Sequence, residues 1–570
     1  MKQQKLMGAL ALTGAFALVL TGCATDSGNT GDNGDNGDQP AETSAADYNP
    51  QPRENLQEGG TVNFAIAEIP EQLNSFHGDG SASTATVSAW YKPQILLQEP
   101  DGTPYKHDAY LDEWKIDTVD GKTQITFTFT EEATWNDGTP MDWTAIDATW
   151  KASRSTDEGF VPNATDGYKE IETVEQGDTP KTAIVTFKGE FAWPQMPFLT
   201  GVIHPDMADP ENFNNGMIDD PHAEWGAGPY TVDEFDASKD YISFKPNEMW
   251  WGDKPLLDKV TFTGMDAQAS INAFKNGEID QVGVGTKDRL AQVADMDGIT
   301  IHRAQQTANT LLEVDADKPQ FEDVKVREAF FLAIDIEQQK TIAWNGLDYT
   351  EDPAGSLTLF SFQPGYHNSL EKAGYEFNVE KAKGLLDEAG WTEGEDGIRE
   401  KDGVKLSVVY PIFSDDPTQK ALAQSLQTMQ KAVGIDLQVD VRPSNKFAED
   451  YTSKNWDVAG LRFTSSDPFG AAWFCQLYCQ DMGLNLSGVQ TPEMDERIKN
   501  EVESITDPVE QTAAAMDLEV EIFQSWGIIP LYNGPSITAV KEGLANLTPE
   551  PYTGLDLFGV QPVENLGWEK

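Results

Sequence analysis

The stretch from Gly226 to Gly283 constrains this chain more than any other part of it. It reads GAGPYTVDEFDASKDYISFKPNEMWWGDKPLLDKVTFTGMDAQASINAFKNGEIDQVG. It opens on a turn, Gly226-Ala227-Gly228-Pro229-Tyr230, in which the two glycines permit backbone angles other residues resist and Pro229 fixes φ. Apolar residues then alternate at Tyr230 and Val232, at Ile242 and Phe244, and at Val260 and Phe262, the period of half-buried strands. From Ala267 to Lys275 the pattern turns helical, and Asn276-Gly277 predicts the helix end. Ile279-Asp280 resumes as a strand.

This run resembles the central signature of the bacterial extracellular solute-binding proteins of family 5, the dipeptide- and oligopeptide-binding class serving ABC importers. The family pattern is G-x-G-P-Y, then N-x-x-Y/W-W-G-x-K-P-x-L-D-K, then a helix ending x-G-x-I-D. Its residues here are Gly226, Gly228, Pro229 and Tyr230; then Asn247, Trp250, Trp251, Gly252, Lys254, Pro255, Leu257, Asp258 and Lys259; then Gly277, Ile279 and Asp280. Further matches flank it. Leu73-Asn74 is similar to a D-x-L-N-P stretch, Trp135 to Pro140 to W-x-D-G-x-P, and Phe321 to Ala329 to F-x-D-V-R-V-R-x-A. The resemblance runs from about Gly59 to the C-terminus.

What it implies is an α/β, two-lobed periplasmic-binding-protein-like fold (type II, cluster C style) with an extra small domain. Its layout gives a discontinuous first domain (59–92, 224–303 and 536–570), a small second domain (93–223) and a third (304–535). Ligand would be enclosed between the first and third domains by hinge closure.

The residues themselves agree with such a layout. Thr61 to Ile66 alternates as a first strand, and Ile125, Phe127 and Phe129 as another. Asp142 is placed to cap a helix carrying Trp143, Ile146 and Trp150, tryptophans whose helical spacing suits a core more than a ligand platform. Asn378 caps a second helix closed by Gly390-Trp391. A strand from Leu406 to Tyr410, a helix from Pro417 to Val433 and a strand from Ile435 to Val441 mark an α/β unit. A helix from Pro508 to Ser525 then leads to the apolar run Ile528 to Tyr532.

At the N-terminus Lys2 and Lys5 precede an apolar run from Leu6 to Leu20 that is short for a spanning helix. A cleaved secretion signal over residues 1–22 is expected. Leu20-Thr21-Gly22-Cys23 resembles a bacterial lipobox, which implies a diacylglyceryl group on Cys23 and stable anchoring to the outer face of the cytoplasmic membrane. Residues 24–58 are rich in Gly, Asp, Asn, Ser and Thr and read as a flexible tether. Its GDNGDNGD run repeats every three residues, not at the alternate positions of a calcium loop.

Charge narrows the partners. With 95 acidic against 40 basic residues the formal net charge is −55, which repels nucleic acid and anionic surfaces. Catalytic motifs are missing: there is no Gly-x-Ser-x-Gly elbow, no His-Glu-x-x-His and no phosphate loop. The expectation is a monomeric binding protein without cofactor or metal. Its partners would be a peptide or other small solute and the subunits of an ABC permease.

The ligand loop is expected within Trp456 to Phe474. Peptide-binding members read G-W-x-x-D-x-x-D/E-P there, the first Asp pairing with a peptide's α-amine. Here Asp467-Pro468 matches the end of the pattern, but Thr464 replaces the first Asp and Leu461 the tryptophan. Candidate ligand residues are Asn74, Arg462, Thr464, Ser465, Ser466, Asp467 and Phe469. Thr464 supplies no charge for an amine, so a non-peptide solute (oligosaccharide, glycolipid or opine) stays open, as does a non-transport envelope regulator with the same fold. Cys475 and Cys479 are an even pair for an oxidising compartment and read as a disulfide.

Overall fold

The computed structural model describes residues 47–570 apart from 100–101, 156–157, 415, 465–468, 481, 483 and 548–561. The signal segment and Cys23 lie outside the described residues. The last part of the expected tether lies inside them, and it is docked. Asn49 donates to Glu569 (2.6 Å), the Gln51 amide to Asn546 (2.8 Å) and the Gln57 amide to the Trp568 carbonyl (2.8 Å). Leu56 is the one large apolar anchor, 3% exposed. Composition mispredicts residues 47–58 because hydrogen bonds to the C-terminal segment and the single buried Leu56 hold them.

The segments expected as the first domain contribute a seven-stranded mixed sheet. Its spatial order is Ile299–Gln305, Pro535–Lys541, Gln281–Gly283, Thr61–Ile66, Lys259–Gly264, Tyr241–Pro246, Tyr230–Asp236. Thr61–Ile66 runs parallel to Lys259–Gly264 with Val62 opposite Val260 and Phe64 opposite Phe262. The Phe64 and Phe262 rings stack at 5.1 Å, and buried Trp90 meets Tyr230 edge-on at 5.2 Å. The helix expected from Ala267 spans Ala267–Asn276, and Gly277 ends it at φ +79°.

The Gly-x-Gly-Pro turn has a different cause from the one its composition suggests. Neither Gly226 nor Gly228 is among the residues of positive φ. Their need is space: a Cβ on Gly226 would lie 2.7 Å from the Tyr91 carbonyl oxygen, and one on Gly228 2.8 Å from the Tyr91 backbone. Ala227 and Gly228 both donate to that carbonyl (3.0 and 2.9 Å), pinning the turn to the chain leaving the first domain.

The second domain is a four-stranded antiparallel sheet in the order Leu111–Val119, Lys122–Phe129, Thr182–Phe187, Ile171–Gln176. Ile125, Phe127 and Phe129 all point inward and are buried. The helix Trp143–Ser153 packs on this sheet with Asp142 accepting from the Thr144 amide at 2.9 Å.

The third domain centres on the strand Ala308–Val314, flanked by Val458–Thr464 and Ile528–Tyr532, all antiparallel. Beside it Ser407–Ile412 and Asp436–Val441 run parallel, joined by the helix Pro417–Ala432, the crossover that parallel strands require. Residues 305–308 and 532–535 link this three-stranded sheet to the seven-stranded one.

Candidate ligand-binding site

Those two crossings are stitched together by polar side chains. Gln305 donates to the Asn533 side chain (2.9 Å), which donates in turn to the Ala308 carbonyl (2.8 Å) and Asn309 (2.7 Å). The Gln306 amide donates to the Gly534 carbonyl (2.8 Å). Glu351 accepts from the amides of Asn533 and Gly534, both at 2.7 Å, and from the Tyr349 hydroxyl at 3.1 Å. Burial pushes the Glu351 carboxyl up, opposed by those two amides.

A cavity of about 560 Å³ opens beside the crossings. Gly285 and Pro535 of the first domain's segments form one edge, and Gly460, Arg462, Thr310 and Tyr532 of the third-domain sheet form its floor. Trp344 closes one side. The far end runs between Ile412, Leu422, Leu426 and Phe447. A volume of this size is within the range of small-ligand pockets.

Sheet register places Arg462. It stands opposite Thr310 on the neighbouring strand and donates to the Thr310 hydroxyl (2.8 Å), the Asn533 carbonyl (3.2 Å) and the Gln306 side-chain oxygen. All three acceptors are neutral. Its guanidinium is open to the cavity, yet surrounding protein desolvates it enough to lower it from its ordinary value, against the attraction of Tyr532 and Glu351. Among the described residues no carboxylate stands within ion-pairing distance of it.

The other candidates are distributed differently. Thr464 ends the same strand, half-buried and opposite Ala308, outside the described cavity lining. Ser465, Ser466 and Asp467 lie outside the described residues. Asn74 is away from the cavity: it is 1% exposed, donates to the Phe213 carbonyl at 2.8 Å and accepts from the Phe76 amide at 3.0 Å. Its amide nitrogen is spent on the Phe213 carbonyl, in the segment expected as the second domain.

Phe469 is fully buried against Trp193 of the second domain, ring centroids 5.4 Å apart. The Trp193 indole donates to Gln511 of the helix Pro508–Phe523 (2.6 Å), and the Thr506 hydroxyl donates to Glu190 (2.9 Å). Phe469 thus belongs to a contact between the second and third domains and does not line the cavity. Cys475 and Cys479 are joined, Cα to Cα 4.7 Å. Cys479 follows the helix Phe474–Tyr478 as its C-cap, and its amide donates to the Cys475 carbonyl at 2.8 Å.

Sequence reasoning missed Glu351, Gln306, Asn533 and Trp344. Of these, only Asn533-Gly534-Pro535 left a trace, as a turn signal after an apolar run.

The family model for bacterial extracellular solute-binding proteins, family 5 middle, matches residues 107–483. The oligopeptide-binding protein OppA of Mycobacterium tuberculosis is 30% identical over 552 residues, covering 95% of this chain and 92% of that protein. The nickel-binding periplasmic protein of Escherichia coli K12 is 29% identical over 60% of this chain and 65% of its own length. Among solved structures, the periplasmic EDTA-binding protein EppA is similar in fold, with a TM-score of 0.78 at 24% identity over 94% of this chain and 100% of that one. AppA of Bacillus subtilis in complex with a nonapeptide has a TM-score of 0.66 at 20% identity, over 90% and 100% of the two chains. The matched core, the near full-length relative and the two-lobed α/β architecture agree: this chain belongs to the bacterial extracellular solute-binding proteins of family 5.

Proposed function

We propose that the chain is the extracytoplasmic substrate-binding component of an ABC importer. It encloses a peptide between its lobes and delivers it to a membrane permease, acting by binding alone. The observation that carries this reading is the position of the cavity. It lies at the two crossings, walled by third-domain residues and edged by Gly285 and Pro535 from across the hinge, so rotation about those segments would open or close that edge. The contacts of Trp193 with Phe469 and Gln511 would then form as the lobes come together. The full-length relative named for oligopeptide binding supports a peptide as the solute. Cys23, lipidated after signal cleavage, would hold the protein at the outer face of the cytoplasmic membrane.

A second reading keeps the fold and changes the solute. Thr464 stands where peptide-binding members carry the Asp that meets an α-amine, and relatives named for nickel and EDTA show that the fold takes other cargo. Mass spectrometry of small molecules released by denaturing purified residues 24–570 separates the two. A ladder of mixed peptides supports peptide import. A single non-peptide mass overturns the peptide part of the reading and leaves the transport role standing.

A further inference from the structure

The seven-stranded sheet ends on Ile299–Gln305, and the chain's own residues 47–58 reach its free edge. We propose that these residues are a detachable strap hinged at Gly59-Gly60, and that with the strap lifted the bared edge of Ile299–Gln305 pairs with the same edge of a second copy of this chain.

Register shows which groups the edge presents. Ile299–Gln305 pairs with Pro535–Lys541 along all 7 of its residues without a bulge. Arg303 stands opposite Ile537, whose carbonyl is turned the other way and accepts from the Val284 amide (2.7 Å). The Arg303 amide therefore points out of the sheet. The sequence ITIHRAQ carries no Pro and no Lys, and it opens on Ile, Thr and Ile, so it is a good strand without the usual guards of an edge. Its arginine side chain is turned aside to the Leu347 carbonyl (3.0 Å).

Asp47 closes this edge. One carboxylate oxygen accepts from the Arg303 amide at 2.8 Å, and the other lies 3.1 Å from His302 Nδ1. Burial opposes the anion, but His302 and the Arg303 amide outweigh it and hold the carboxyl below its ordinary value. Asn546 holds the residues that follow. Its amide donates to the Asn49 carbonyl (2.9 Å), its side-chain oxygen accepts from the Gln51 amide (2.8 Å) and its side-chain nitrogen donates to the Gln51 carbonyl (3.0 Å). Asn546 does this at φ +64°, an angle that a residue other than glycine keeps only where its surroundings fix it.

The fastening is specific but thin. Among residues 47–58 Leu56 is the only large apolar side chain that is buried. Segments held by hydrogen bonds over little apolar surface are those that open locally. Gly59 and Gly60, at φ +90° and +98°, join the strap to Thr61–Ile66. Their amides are held by the Leu256 carbonyl (2.7 Å) and Asp258 (3.1 Å), which keeps the pivot on the body while the residues before it swing. Physiological salt screens charges beyond about 8 Å, so a net charge of −55 does not forbid pairing at contact. Anchoring through Cys23 would crowd copies on one membrane surface, where an unguarded edge matters most; only that consequence rests on the anchoring proposed above.

Hydrogen exchange and sedimentation velocity of the full mature chain at physiological salt test the strap, on wild type, Asp47→Ala, Asn546→Gly and the double variant. Glycine keeps the left-handed angle and removes only the side-chain bonds to Gln51. In dilute solution residues 299–305 should exchange at least about 10-fold faster in the double variant than in wild type, with Lys259–Gly264 inside the sheet unchanged. On concentration the double variant should dimerise while wild type stays monomeric, and exchange at 299–305 should slow again. Unchanged exchange at 299–305 in the double variant overturns the proposal. So does a double variant that stays monomeric, a wild type that dimerises equally, or a dimer in which 299–305 keeps its fast exchange and so pairs elsewhere. Should the double variant loosen Lys259–Gly264 as well, Asp47→Ala alone decides by the same criteria.

Discussion

Replacing Glu313 with glutamine is expected to stabilise the protein above neutral pH and to leave it nearly unchanged in acid. Glu313 lies on the central strand Ala308–Val314, fully buried. Tyr451, the Leu486 amide and Lys454 favour its anion, but burial outweighs them and pushes the carboxyl up to about 8. At neutral pH it therefore holds a proton. The Tyr451 hydroxyl donates to Glu313 Oε2 (2.9 Å) and also lies 2.9 Å from the Leu484 carbonyl. The folded carboxyl titrates above its ordinary 4.5, so the folded chain keeps a proton that the unfolded chain releases. Its stabilising contribution is complete below about pH 4.5 and is lost as pH rises through about 8. Each pH unit in that window removes ~1.4 kcal/mol, and the whole window about 4–5 kcal/mol. Glutamine keeps an acceptor for Tyr451 and never ionises. Urea unfolding of both chains between pH 5 and 9 measures the effect, because every other titration cancels in the difference. The variant should gain less than about 1 kcal/mol at pH 5 and about 4–5 kcal/mol at pH 9. Stability curves that run parallel across this range would refute the buried neutral acid.

Two further substitutions probe the framework. Gln511→Ala strands the buried Trp193 indole N–H and should disfavour the closed arrangement by about 1–3 kcal/mol; a larger radius of gyration in small-angle scattering and weaker solute retention are expected, and a protein unchanged in both would remove Trp193 from closure. Gly228→Ala puts a methyl group 2.8 Å from the Tyr91 backbone, which cannot swing aside, and should destabilise by about 1–3 kcal/mol; wild-type stability in urea would show that close approach is not why glycine stands there.

The local elements were legible in the chain because their causes are local. Period-two alternation around Ile242, Phe244, Val260 and Phe262 marked strands that the structure contains, and Asp142, Asn378 and Gly277 marked helix ends that it caps. The helix read as Pro417 to Val433 spans Pro417–Ala432. Arg462 was legible as a cation near a ligand loop, but its neutral surroundings were not. They come from Thr310, Gln306 and Asn533, positioned by strand pairing over long separations. The contact of Trp193 with Gln511 joins residues 318 positions apart, and no periodicity reports such a pair. Glu351 was one of many acidic residues, and only burial sets it apart. The Gly226 and Gly228 pair was legible as a requirement while its reason was hidden, since crowding by Tyr91 is a tertiary fact.

The strand Pro535–Lys541 lies inside the first domain's sheet, between Ile299–Gln305 and Gln281–Gly283. It donates and accepts along both edges, with Ala539 opposite Ile301 on one side and Val282 on the other. Among the described residues Ile299–Gln305 has no other neighbour in that sheet. As the chain emerges from its N-terminus, the domain that begins first is completed last, after the whole third domain has passed. Until then Gln281–Gly283 presents an open edge, which invites pairing with other chains. A chain folding from its N-terminus thus carries a half-built sheet until Pro535–Lys541 arrives to fill the gap between its two neighbours.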